Sequence, residues 1–467
     1  MSDSSATTQR WTTFCAAAAV AVGLAVTAPG VFSARVLARY ASSPDSVDIA
    51  RWAAHARWGD VLSWWAGPWI QASSPYYRPL SSIAFWLECK AFGMNFQGHV
   101  LISWLLHGAV CLLLFRAAIT WLLGDERVRA ALALLAVALF NARLGPAGPH
   151  WRPAPITYGV VAWWPAQTDQ FCLLFSLAAL LCFDAWLTSG QRKRLGQAFT
   201  LWFAALLFKE MAVCVPLVAA ALVLYRRGLK AARLRAADER AMVPIVGRLG
   251  IGLLWQVLLA GFVLVAAYLA IRSALVPGAW GPKARPAAYF FGKIIWFVAE
   301  RPVSLLVTRW PWLLIISAYV AACIYVYARL PRRPSAVWLV LALILGSAAL
   351  AQIFGGTFAL ITVPREIGAI ATGTIFLLGL AVLAHARSGP TWPLLGMVIA
   401  IHLPILHVRG PHYMYWPAAF WGLFHASLVG VVVDAHKAGT LQWRLARLDK
   451  AVGGLTEGTG QCESTKQ

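Results

Sequence analysis

Long apolar runs, separated by short stretches rich in Arg and Lys, constrain this chain more than any other feature. They centre on 11–33, 98–122, 128–141, 167–187, 196–208, 211–225, 250–272, 309–328, 336–354, 367–385, 391–407 and 416–434. About twenty apolar residues in a helix cross the hydrocarbon core of a bilayer. Within that core every backbone polar group must find its partner inside the protein. The expectation is an all-α integral membrane protein of about twelve transmembrane helices, with amphipathic helices in the first outer loop. Only 12 % of the residues are charged, about half the share of a soluble domain.

The formal net charge is +22. In a soluble protein such a surplus would suggest nucleic acid. Here the cations gather in short loops, as the positive-inside rule requires, so nucleic-acid binding is not expected. The basic loops at Arg127/Arg129, Arg192 to Arg194, Arg226 to Arg248 and Arg329 to Arg333, and the tail Lys437 to Lys450, fall on one side. A cytoplasmic N-terminus accounts for that, and twelve spans then place both termini inside. The outer face receives 35–97, 142–166, 273–308, 355–366 and 408–416. The membrane domain is expected over 1–440, followed by a short cytoplasmic tail over 441–467. The end of that tail is rich in Gly, Thr and Glu and reads as disordered. The eight cysteines form no C-x-x-C pair; most lie in apolar runs and read as small buried hydrophobes.

One stretch carries more than hydropathy. Tyr76 to Arg116 reads YYRPLSSIAFWLECKAFGMNFQGHVLISWLLHGAVCLLLFR. Its front half, Leu80 to Met94, mixes apolar residues with Ser81, Ser82, Glu88 and Lys90, as in an amphipathic helix lying in a membrane surface. Phe92-Gly93-Met94-Asn95 has turn chemistry. The run from Val100 then dives into the membrane, carrying His107, with His99 at its mouth.

These residues resemble a run of the form Y-x-R-P-L … F-G-L-N-P-x-G-Y-H-L-x-N-L-L-L-H. Tyr76, Arg78, Pro79, Leu80, Phe92, Gly93, Asn95, Gly98, His99, Leu105, Leu106 and His107 match it in order and spacing. That run belongs to the C-type (GT-C) superfamily of polytopic membrane glycosyltransferases. The likeness is greatest to the transmembrane and tetratricopeptide-repeat O-mannosyltransferases and their bacterial relatives. No 34-residue helical repeat is visible after the last apolar run. The resemblance implies transfer of a sugar from a polyprenyl-phosphate donor to an acceptor on the outer face, with membrane lipids around it. It points to a bacterial inner membrane and to an uncleaved first span, where the residues alone also allow a cleaved signal peptide. The acceptor, the sugar and any need for a divalent metal stay open. The alternative is a non-catalytic scaffold or lipid/sugar carrier on the same fold, with a degraded active site.

Such transfer needs a carboxylate to activate the acceptor and cations to meet the departing phosphate. The superfamily keeps its catalytic acids soon after the first span. Here Asp45 and Asp48 follow that position by a few residues, so they are the catalytic candidates. Their bland alternative is to cap a helix over Ile49 to Trp65. The resemblance implies Arg365 as a donor-phosphate cation; Arg78 and Lys293, a cation on the outer side against the positive-inside rule, join it as candidates. His99, His107, Asp169, Lys209 and Glu210 fall in a supporting role. Asp169 at a span entrance must face the bundle or water, and Lys209-Glu210 must pair or snorkel. Relatives carry H-P-x-H-x-E before V-A-W. This chain keeps Pro155 and Trp163 but has lost both His and the Glu.

Overall fold

Short polar side chains, prolines and glycines set the helix ends of the outer segment. The computed structural model describes residues 2–69, 76–142, 156–237, 243–276, 391–405, 411–431 and 433. After α1 (Ser2–Phe32) and α2 (Ala34–Ala41), Ser43 caps α3 (Pro44–His55) by accepting the Ser46 N–H at 3.3 Å. A short α4 (Asp60–Ser63) follows, its entry held by Asp60 Oδ2 accepting the Arg57 N–H at 2.6 Å. Pro79 opens α5 (Pro79–Phe92), and Gly93 ends it at φ 57°, a left-handed conformation suited to glycine. Asn95 caps α6 (Phe96–Trp121).

The remaining helices are α7 (Glu126–Ala142), α8 (Ile156–Ala162), α9 (Gln167–Ser189), α10 (Arg192–Phe208), α11 (Val215–Ala237), α12 (Val243–Leu275), α13 (Thr391–His402) and α14 (415–431). Short 3-10 turns, Trp164–Ala166 and Glu210–Cys214, lead into α9 and α11. All secondary structure among the described residues is helical.

Among the described residues, four helical stretches are long and apolar enough to cross a membrane: Thr7–Pro29, Phe96–Trp121, Trp164–Ser189 and Gly252–Leu275. Their outward faces are greasy. On α12, Trp255, Leu259, Phe262 and Val263 are exposed, and on α6 Leu101, Leu105 and Leu112. Apolar surface on this scale suits lipid rather than water. The expected runs at 128–141, 196–208 and 211–225 fold as α7, α10 and the start of α11. Those at 309–328, 336–354 and 367–385 lie outside the described residues.

The chain divides into two compact units, Met1–Leu305 with Gly389–Ser427, and Leu306–Ser388 with Leu428–Gln467. The described residues fall in the first, apart from 428–431 and 433. In that unit α1 packs on α6 and α7, α9 on α10, and α11 on α12 and α13. Contact between α1 and α6 is close: a Cβ on Gly23 would stand 2.5 Å from Cys111 Sγ.

Two expectations for the first outer loop are corrected. The helix expected over Ile49 to Trp65 begins at Pro44 and breaks after His55, because Asp60 holds a turn there. In α5 three of the four polar residues point inward: Ser81, Ser82 and Glu88 are buried, while Lys90 is exposed and Leu87 half exposed. Ser81 Oγ donates to the Phe208 carbonyl at 2.8 Å, tying α5 to the end of α10. The tryptophans of this segment divide in burial. Trp58 and Trp65 are exposed, whereas Trp64 is buried against Trp52 and Trp86. Trp86 donates its indole N–H to the Ala56 carbonyl at 3.1 Å. Trp86→Ala is expected to cost about 3–5 kcal/mol, seen as a lower unfolding midpoint and early proteolysis between α3 and α5.

Candidate functional site

Charged side chains from three distant segments meet below the surface. The Arg78 guanidinium forks onto Glu210, Nη2 donating to Oε2 at 2.7 Å and Nε to the same oxygen at 3.1 Å. Lys209 Nζ donates to Asp169 Oδ2 at 2.6 Å. Arg78, Lys209 and Asp169 are buried. The break between α10 and α11 explains how adjacent Lys209 and Glu210 reach different partners. Lys209 has extended backbone, and the 3-10 turn begins at Glu210. Asp169 stands in the first turn of α9, where unpaired backbone N–H groups favour an acid.

Aromatic rings close over the cations. The Arg78 guanidinium carbon lies 4.1 Å from the Tyr76 ring centre and 5.1 Å from that of Trp69. Lys209 Nζ lies 4.6 Å from the Tyr413 ring centre. Arg272, in the last turn of α12, is near enough for its charge to act on Glu210. Arg78, Lys209 and Arg272 thus gather around Asp169 and Glu210. Asp169 Oδ1 has no hydrogen bond among the described residues. Charges removed from water hold only with close partners, so the cluster is either a fixed staple or a site.

Two polar nodes flank the cluster. At the first, Glu88 Oε2 accepts from Trp164 Nε1 at 2.9 Å and Gln167 Nε2 at 3.2 Å, and faces His99 Nδ1 at 3.2 Å. At the second, His107 Nε2 donates to Asn141 Oδ1 at 2.8 Å, and the Tyr415 hydroxyl donates to His107 Nδ1 at 2.7 Å. Asn141 Nδ2 donates to the Val137 carbonyl at 2.9 Å, which fixes its amide and hence the histidine tautomer. At the opposite end of α9, Asp184 pairs with Arg226, and Tyr225 donates to the Trp121 carbonyl.

The structure therefore brings Arg78, Asp169, Lys209 and Glu210 together, and places His99 and His107 in separate networks. Asp45 and Asp48 stand in the first turns of α3. Ser43, not either acid, is its N-cap, and Trp163 Nε1 donates to that Ser43 hydroxyl at 3.2 Å. Asp45 is exposed and Asp48 half-buried; partial burial and the Asp48 charge push the Asp45 carboxyl above the usual range. Lys293 and Arg365 lie outside the described residues. The six described cysteines are all free thiols, and no cluster of His, Cys, Asp and Glu among the described residues could hold a metal ion. Sequence reasoning missed the inward Glu88, Asn141, Arg272 and the two tyrosines Tyr413 and Tyr415. The only signal for the tyrosines was the His412-to-Pro417 run of aromatic residues.

No family model, curated protein or solved structure matches this chain.

Proposed function

We propose that this protein is a polytopic membrane glycosyltransferase of the C-type superfamily. It moves a sugar from a polyprenyl-phosphate donor to an acceptor on the outer face of a bacterial inner membrane. In this reading the full chain makes about twelve spans with both termini cytoplasmic. One observation carries it. Arg78 of the Y-x-R-P-L run, Asp169 after V-A-W, and the Lys209-Glu210 pair were each singled out by resemblance, yet stand up to 132 residues apart. They converge on a single cluster of paired charges.

A lipid-linked phosphate at the membrane edge is the anion such an enzyme handles, and the cluster offers cations to meet it. Arg78 suits it, because a planar guanidinium binds phosphate as readily as it binds Glu210. Below, an apolar groove of about 310 Å³ runs between α9, α10, α11 and α12, lined by Leu180, Phe183, Trp202, Pro216 and Val257 among others. These same helices carry Asp169, Arg272 and the Lys209-Glu210 break at their ends, so an isoprenoid tail has an apolar path beside its phosphate. In the reaction an outer-face carboxylate takes the acceptor's proton. The acceptor oxygen attacks the anomeric carbon, and polyprenyl phosphate departs with its charge met by the cations.

The internal pairing of Arg78 with Glu210 and of Lys209 with Asp169 favours a second reading, a scaffold in which the cluster is only a staple. Binding of a fluorescent polyprenyl phosphate to the purified protein in nanodiscs separates them. Saturable binding that weakens with Arg78→Lys supports the transferase; no binding supports the scaffold. The topology is checked separately. A reporter fused after Arg194 is expected to read as cytoplasmic, and one inserted near Trp58 as periplasmic. The reverse result overturns the map.

A further inference from the structure

Glu88 is built unlike the other described acids of the first outer segment. Asp45 is exposed, Asp48 is half-buried, and Asp60 holds the turn before α4. Glu88 instead has one oxygen inside and one outside. Oε2 is held by Trp164 and Gln167, and Gln167 Nε2 also reaches the His99 carbonyl at 2.9 Å, which fixes its amide. Oε1 has no partner among the described residues and meets the surface, the side chain being 10 % exposed.

His99 packs against the same oxygen. Nε2 lies 3.0 Å from the Gly93 carbonyl and Nδ1 lies 3.2 Å from Oε2. The imidazole ring stacks on Trp164, their centres 4.1 Å apart. Oε2 is thereby occupied by fixed partners, and the open oxygen of the carboxylate is Oε1.

We infer that Glu88 is the base that takes the acceptor's proton, a role that rests on the transfer reaction proposed above. The acceptor O–H bond breaks and its proton goes to Glu88 Oε1. The acceptor oxygen bonds to the anomeric carbon, and the bond from that carbon to the phosphate oxygen breaks, its electrons leaving with the phosphate. Arg78 and Glu88 begin and nearly end α5, about 15 Å apart along the helix. His99 is a positioning residue, holding Oε2 inward.

The test is turnover of a polyprenyl-phosphate sugar in nanodiscs by the parent, Glu88→Gln, Glu88→Asp and the double variant Asp45→Asn/Asp48→Asn. Glu88→Gln is expected to slow transfer by about 10²–10⁴-fold with donor binding retained, which also certifies its fold. Glu88→Asp keeps a base with shorter reach and is expected to recover a measurable part of the rate. If Glu88→Gln binds donor and turns over at the parental rate, the inference fails while the transferase reading stands. A rate that falls only with Asp45→Asn/Asp48→Asn also overturns it. A parent that turns over no donor removes the reading itself.

Discussion

Lys209→Met is expected to destabilise the protein by about 3–5 kcal/mol. Lys209 is buried, and its ammonium is the sole hydrogen-bond donor to the Asp169 carboxylate among the described residues. Oδ1 of that carboxylate already lacks a hydrogen bond. Removing the lysine leaves a carboxyl group in an apolar interior, and the group must protonate or draw in water at the start of α9. Lys209→Met/Asp169→Asn removes both charges with similar volumes, so much of the stability is expected to return. Chemical unfolding of the three proteins in one detergent measures this. A single variant as stable as the parent would mean that the pair carries no weight. The double variant also informs function: a staple alone is rescued by it, whereas a phosphate site stays broken.

Arg78→Lys is expected to lower kcat/KM for the donor by about 10²–10³-fold, the loss typical of one oriented donor to a developing charge. An ammonium cannot reproduce the guanidinium fork on Glu210, nor its planar contact with Tyr76 at 4.1 Å. It does keep a positive charge beside Glu210, so the effect on stability is expected to be well below that of Lys209→Met. Steady-state kinetics and unfolding on the same preparation separate the two effects. An Arg78→Lys protein with parental kinetics would assign the fork to structure alone.

Hydropathy located the helices well, because a span needs only length and an apolar composition. The runs at 11–33, 98–122, 167–187 and 250–272 coincide with the four stretches of spanning length. Local rules failed in the outer segment. Ser81, Ser82 and Glu88 looked like a wet face by their alternation, yet each finds a partner inside: the Phe208 carbonyl, the Arg78 carbonyl, and the Trp164 and Gln167 donors. Burial of a polar group depends on what the fold places opposite it, and the partners of Ser81 and Glu88 are distant in sequence. The same holds for the charges. Resemblance singled out Arg78, Asp169, Lys209 and Glu210, but nothing in local spacing says that Arg78 selects Glu210 and leaves Asp169 to Lys209. Arg272 and Tyr413 were missed because each is an ordinary residue at a span end until the cluster gathers around it.

The central claim is that the outer charge cluster handles a lipid-linked phosphate during sugar transfer. Its most direct measurement is release of polyprenyl phosphate. The purified protein in nanodiscs is incubated with a panel of polyprenyl-phosphate hexoses and pentoses and with an extract of outer-face acceptors. The account predicts time-dependent release from at least one donor, reduced at least about 100-fold by Arg78→Lys. Release at the same rate from parent and Arg78→Lys proteins, or from neither, would contradict it.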